Sequence, residues 1–176
     1  PLSIPQELKK TDLTYEADEI GFVFPDYAAA VPVIVHEFVE KAQFKAPYIF
    51  SVITFGNASV NVAEWWNDWA RSNGLNNNYI NTILMVDNYL PVFDMNEQIR
   101  IDKNTDENMA GIISDISAHK DFIAPSDMGW FTEEMLQGMQ EMHFSQRSEQ
   151  LIRLDTAKCI RCTTCTEVCP RGNFAL

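Results

Sequence analysis

Read as hydrophobic and polar positions, the chain alternates between two periods from residue 19 onward. The run "IGFVF" at 20–24 is unbroken and apolar, the pattern of a parallel strand buried on both faces. Val31, Val35, Phe38, Val39 and Ala42 then recur at helical spacing. "YIFSVIT" at 48–54 predicts a second buried strand and "YINTILMV" at 79–86 a third. Between them Val62, Trp65, Trp66 and Trp69 share one side of a helix, with Asn67, Asp68 and Arg71 on the other. Asn73 and Gly74 supply its stop. A tryptophan stripe could serve as a cofactor platform, but packing of a helix onto a sheet is the commoner meaning and is the one adopted. A long helical pattern over residues 97–120 uses Ile99, Met109, Ile113 and Ile116. Beyond Pro125, "DMGWFTEEMLQGMQEMHF" predicts a short helix with a methionine-rich face.

Strand and helix in strict alternation predict an α/β fold, a parallel sheet with right-handed crossovers. Ligands of such sheets bind outside the carboxyl ends of the strands, where strand order reverses. Three loops fall on that edge: "PDYAAAVP" at 25–32, "TFGNASVN" at 54–61 and "DNYLP" at 87–91. Their small residues would let backbone groups reach the polar edge of a flat ring, with Tyr27, Phe55 or Tyr89 covering its faces. The same small residues equally serve any α/β protein merely to make the turn.

Composition narrows the classes. With 46% hydrophobic and 22% charged residues over 176 positions, the chain is globular, one domain plus a small appendage. No apolar run approaches the roughly 20 residues of a membrane span, and "PLSIPQELKK" has no apolar signal core, so a cytoplasmic location is expected by default. The net charge of −12 argues against nucleic acid and permits steering toward basic partner proteins, although solubility alone accounts for it. His119 and His143 stand apart from any ligand cluster and read as surface residues; His36, near the start of the first helix, is given no role.

The most specific signal is "CIRCTTCTEVCP" at 159–170, which holds all four cysteines of the chain. Structural zinc sites usually split their ligands into two knuckles a dozen or more residues apart. A redox dithiol has no use for four thiols, and disulfides are foreign to a chain without a secretion signal. C-x2-C-x2-C-x3-C-P is the bacterial iron–sulfur run. Thiolates two residues apart can wrap a loop around the corners of a cube, with Pro170 turning the chain away. Cys159, Cys162, Cys165 and Cys169 are therefore the expected metal ligands, with zinc as the weaker alternative. In two-cluster ferredoxins the fourth cysteine of such a run serves the other cluster. Cys169 thus either completes a local cluster or belongs to a second one.

"ADEIGFVFPDYAAAVPVIVHEFVEK", "APYIFSVITFGN" and "DNYLP", followed by "CIRCTTCTEVCP", resemble the flavodoxin–ferredoxin fusion proteins of anaerobic bacteria. The resemblance covers most of residues 15–95 and again 155–176. It implies a flavodoxin-like three-layer sandwich binding FMN, followed by a ferredoxin-type segment with [4Fe–4S] clusters. Tyr27, Ala28 and Ala29, with Thr54, Phe55, Gly56 and Asn57, would form the loops flanking the flavin ring, and Asp87, Asn88 and Tyr89 would lie nearby. Asp26 stands where that family would have an apolar residue; a carboxylate there, if it points inward, would lower the flavin potential. The family's first strand and its phosphate loop have no counterpart, nor does the second cysteine set. Together with the start at Pro1, this is the pattern expected of an internal piece of a longer protein. The division expected is 1–124 for the incomplete flavodoxin-like part, 125–154 for a helical connector and 155–176 for the first half of a ferredoxin domain.

The function expected is electron transfer between redox partner proteins, with a homodimer compatible and no acid, base or nucleophile required. Two other readings stand beside it. One is a flavin-dependent oxidoreductase fed by a nicotinamide, although no G-x-G-x-x-G occurs. The other is a non-redox module whose cysteines hold zinc.

Overall fold

A computed structural model describes residues 1–89, 92–145 and 155–169, with the side chains of 141–145 excluded. Leu90, Pro91, Pro170 and the imidazole of His143 lie outside the described set, as do residues 146–154 of the expected connector and 171–176 of the expected ferredoxin half.

The chain opens with α1 (Ile4–Glu7) and the short β1 (Thr14–Glu16), followed by β2 (Glu19–Pro25), α2 (Val33–Lys41), β3 (Gln43–Lys45), β4 (Tyr48–Phe55) and α3 (Val62–Ser72). Then come β5 (Tyr79–Leu84), α4 (Met95–Gln98), α5 (Thr105–Ser117), β6 (Phe122–Ile123), α6 (Glu133–Ser145) and α7 (Thr164–Val168). The main sheet runs β2-β4-β5-β6 and every pairing in it is parallel. β1 and β3 form a second, two-stranded parallel sheet. The expected α/β class with a parallel sheet is the observed one, in an arrangement compatible with a flavodoxin-like fold.

The alternation of side chains along β4 builds the layers. Ile49 and Ile53 face α2 and α3, where Phe22, Phe24, Val35, Phe38, Val62, Trp66 and Ile80 complete the larger core. Tyr48 and Val52 face the other way and join Tyr79, Ile83 and the Ile112 of α5. Of the tryptophan stripe, Trp66 is wholly buried and its indole Nε1–H donates to the hydroxyl of Ser51 at 3.0 Å. Core packing is therefore the role of that residue.

Five expectations need correction. β2 is not buried on both faces: Phe22 and Phe24 are in the core, whereas Val23 is 69% exposed. The strand is at the edge of the described sheet, and on its second face Val23 is open to solvent. Gly21 on that face leaves room for the ring of Phe50, which would stand 2.2 Å from a Cβ. The strand expected at 79–86 ends at Leu84. The helix expected over 97–120 is two helices, because Asp94 caps α4 and the carboxylate of Asp102 accepts from the amide of Asn104, which is left-handed at φ 48°. Such local side-chain bonds compete with the helical ladder. The buried face of α5 also differs: Ile112 is in the core, while Ile113 and Met109 are exposed. Finally, the described strands follow chain order without reversal, so the sheet edge carries no switch point of its own.

Candidate functional site

The three loops meet at the carboxyl edge of the sheet. The amide of Asp26 donates to the carbonyl of Thr54 at 2.7 Å, joining the first loop to the second. Met85, two residues before the third loop, donates to the carbonyl of Phe55 of the second, also at 2.7 Å. Gly56 is pressed so close to Asp87 that a Cβ would meet its carboxylate carbon at 2.5 Å. Beyond these, Lys103 donates from Nζ to the carbonyl of Gly56 at 2.7 Å. The rings of Tyr27 and Tyr89 are 52% and 60% exposed. Asp87 accepts from the amide of Tyr89 and so shapes the third loop.

The first loop is a tight turn. Tyr27 and Ala30 exchange backbone hydrogen bonds at 2.8 and 3.2 Å, and between them Ala28 and Ala29 have φ of 57° and 59°. Two consecutive left-handed residues are the signature of a type I′ turn, normally supplied by Asn or Gly. For alanine each position costs about 1 kcal/mol or more, and strain of this kind collects where function requires a set backbone.

Asp26 sits at the base of this turn. Its carboxyl accepts from the backbone amides of Ala29 and Ala30, while its Oδ1 is buried with no hydrogen-bond partner. Burial raises its pKa from 3.8 to about 7, against the lowering effect of the two amides. The carboxyl is folded back onto its own turn and is largely protonated below neutrality. The expected effect of a carboxylate on a flavin potential applies only where this carboxyl is ionised.

The loops are brought together, yet neither of the two cavities described reaches them. One of about 380 Å³ lies between α2 and α3, lined by Val33, His36, Glu37, Glu40, Trp65 and Trp69. The other, about 510 Å³, lies at residues 16–18 and 45–47. His36 is at the base of the first, its ring 4.0 Å from that of Trp69. His119 is on the surface as expected, within 2.6 Å of Glu19 and stacked on Tyr48.

The cysteines lie along an exposed stretch. Arg161 and Thr163, between consecutive cysteines, are left-handed at φ 57° and 65°, and α7 starts immediately after. These bends turn the chain in the first two intervals between thiols, and the third is helical. The hydroxyl of Thr164, and then its amide, hydrogen-bond Cys162 and hold its thiol below the usual range, favouring the thiolate that binds metal. Cys159, Cys162 and Cys165 are exposed and Cys169 is half-buried. Among the described residues no three potential ligands converge on one metal position. Four soft thiols so closely spaced nonetheless suit a cluster, and metal binding itself supplies the closure of such sites.

Gln140 and Lys103 were not legible as site residues. Each reaches a loop carbonyl from far along the chain, Gln140 bonding Ala29 at 2.7 Å, and nothing in its own neighbourhood marks it.

Residues 152–174 match the model of the 4Fe-4S binding domain. This C-terminal stretch therefore carries the signature of iron–sulfur electron transfer, in agreement with the cysteine run. Comparison with curated proteins and with solved structures returned no match. No helix among the described residues is long and apolar enough to cross a membrane.

Proposed function

We propose that the chain is an electron carrier joining a [4Fe–4S] cluster to FMN. The cluster is held by Cys159, Cys162, Cys165 and Cys169, and the FMN by Tyr27, Ala28, Ala29, Thr54, Phe55, Gly56, Asn57, Asp87, Asn88 and Tyr89. The observation that carries the reading is the C-x2-C-x2-C-x3-C run inside the matched 4Fe-4S stretch. When bound, the cluster passes electrons singly and the flavin takes up one or two, so the pair links one-electron and two-electron chemistry. The division of labour proposed is a flavodoxin-like part at 1–124, a helical connector at 125–154 and a ferredoxin part from 155. Its setting would be cytoplasmic, with redox proteins as partners.

The chain's own residues would do the following. Four thiolates ligate, and Thr164 favours the thiolate at Cys162. Exposed Tyr27 and Tyr89 offer faces for a ring. The ammonium of Lys103, held on the carbonyl of Gly56, would offer a positive charge to a ring reduced beside that loop. Support for the flavin half is the convergence of the three loops, the unpartnered Oδ1 of Asp26 and the resemblance of their sequences.

The test is equilibrium titration of FMN into the reconstituted chain, followed by flavin fluorescence. Saturable quenching, weakened by Tyr89→Ala, is expected. Unquenched flavin at every concentration would remove the flavin from the account and leave a cluster protein alone.

A further inference from the structure

Helix α6 precedes the cysteine run in sequence, and it is docked on the loops at the carboxyl edge of the sheet. Leu136 is 1% exposed and packs with Ala29 and Val60, one residue from the first loop and one from the second. Met128, Phe131 and Met139 close around this cluster. Gln140, one turn beyond Leu136, donates from Nε2 to the carbonyl of Ala29 at 2.7 Å. The chain leading into α6 is fixed as well, since Asp127 donates its amide to the carbonyl of Val60 at 2.9 Å and Ser126 bonds Glu64 of α3.

The bond from Gln140 lands on the strained turn. The Tyr27–Ala30 exchange and the amides facing Asp26 are local restraints, made within five residues. They involve no residue outside the turn and its base. The Ala29 carbonyl is different: its partner comes from 111 residues away, so it forms only when α6 is seated. A left-handed alanine pair reverts readily to ordinary backbone unless something outside the turn holds it.

We propose that α6 is a strap whose Gln140 and Leu136 hold the turn at residues 27–30 in its left-handed form, making the first loop's readiness for ligand depend on the seating of this helix. Gln140 is a positioning residue, acting through the Ala29–Ala30 peptide. This rests on the flavin reading for its ligand, but not for the mechanical link itself.

The experiment uses the whole chain with Gln140→Leu, which removes the donor and keeps a good helix former, and Gln140→Arg, whose longer side chain retains one. Glu134→Gln on the exposed side of the same helix is the control. Hydrogen exchange at the Ala30 amide is measured without flavin, and FMN affinity is measured separately. Gln140→Leu should speed exchange by roughly fivefold to tenfold, the worth of one hydrogen bond, and weaken FMN by a similar factor. Gln140→Arg should recover part of both, and Glu134→Gln should change neither. Unchanged exchange in Gln140→Leu overturns the strap. Faster exchange with unaltered FMN affinity overturns its link to the ligand. If the parent chain binds no FMN, the flavin reading falls while the exchange result still decides the strap.

Discussion

Gly56 and Asp87 bind the second and third loops together by contact: a Cβ on Gly56 would lie 2.5 Å from the Asp87 carboxylate and 2.6 Å from its Cα. A flexible side chain could swing away, but the backbone atom cannot, so Gly56→Ala must move one loop. The expected loss is about 1–3 kcal/mol of stability, the range for overpacking a tight site. Urea unfolding monitored by far-UV circular dichroism measures it, and a loss below about 0.5 kcal/mol would show that the loops part freely.

Asp26 should make stability depend on pH in an unusual direction. Its folded pKa, about 7, is above its ordinary 3.8, so between these values the folded chain holds more protons than the unfolded one. The stability associated with the protonated form is fully present below about pH 4 and is lost as pH rises toward 7. Three units correspond to a few kcal/mol, an order-of-magnitude figure. Asp26→Asn should flatten this slope and be more stable than the parent at pH 8. Unfolding midpoints across pH 4–8 in both proteins decide the matter; parallel curves would mean that the carboxyl is ionised throughout.

Ser51 is the only described hydrogen-bond partner of the buried Trp66 indole, and its own hydroxyl donates to Asn77 at 2.7 Å. Ser51→Ala leaves the indole N–H unpaired in the core, at a cost of about 1–3 kcal/mol. Thermal melts followed by tryptophan fluorescence should record the drop. A neutral result would place water at the indole nitrogen.

Lys103 offers a probe of the flavin half. Replacing it by Met removes a positive charge from the carbonyl of Gly56. The midpoint potential of bound FMN should fall, by on the order of tens of millivolts, since about 59 mV corresponds to 1.4 kcal/mol for one electron. Spectroelectrochemical titration of both proteins measures this, and an unchanged or raised potential would place Lys103 away from the ring.

How far the sequence discloses all this varies by element. The apolar runs of β2 and β4 announced their strands, because a buried strand concentrates β-branched and aromatic residues whatever its neighbours. Which face of β2 is covered could not be read, since an apolar run looks the same beside a neighbouring strand or at an edge. The break between α4 and α5 was disguised by apolar residues at helical spacing. Yet the carboxylates of Asp94 and Asp102 accept from the amides of Asn96 and Asn104, and those bonds prevail. The cysteine run is legible because its chemistry is written in consecutive residues. The link from Gln140 to Ala29 is not, because it exists only once α6 has docked.

The central claim is the iron–sulfur centre, and the most direct measurement is iron and acid-labile sulfide content after anaerobic reconstitution, together with the visible spectrum. The account predicts iron and sulfide in equal amounts. It also predicts a broad visible absorbance that bleaches on one-electron reduction, with all three signals much diminished in Cys162→Ser. A colourless protein that retains zinc and contains no sulfide would contradict it.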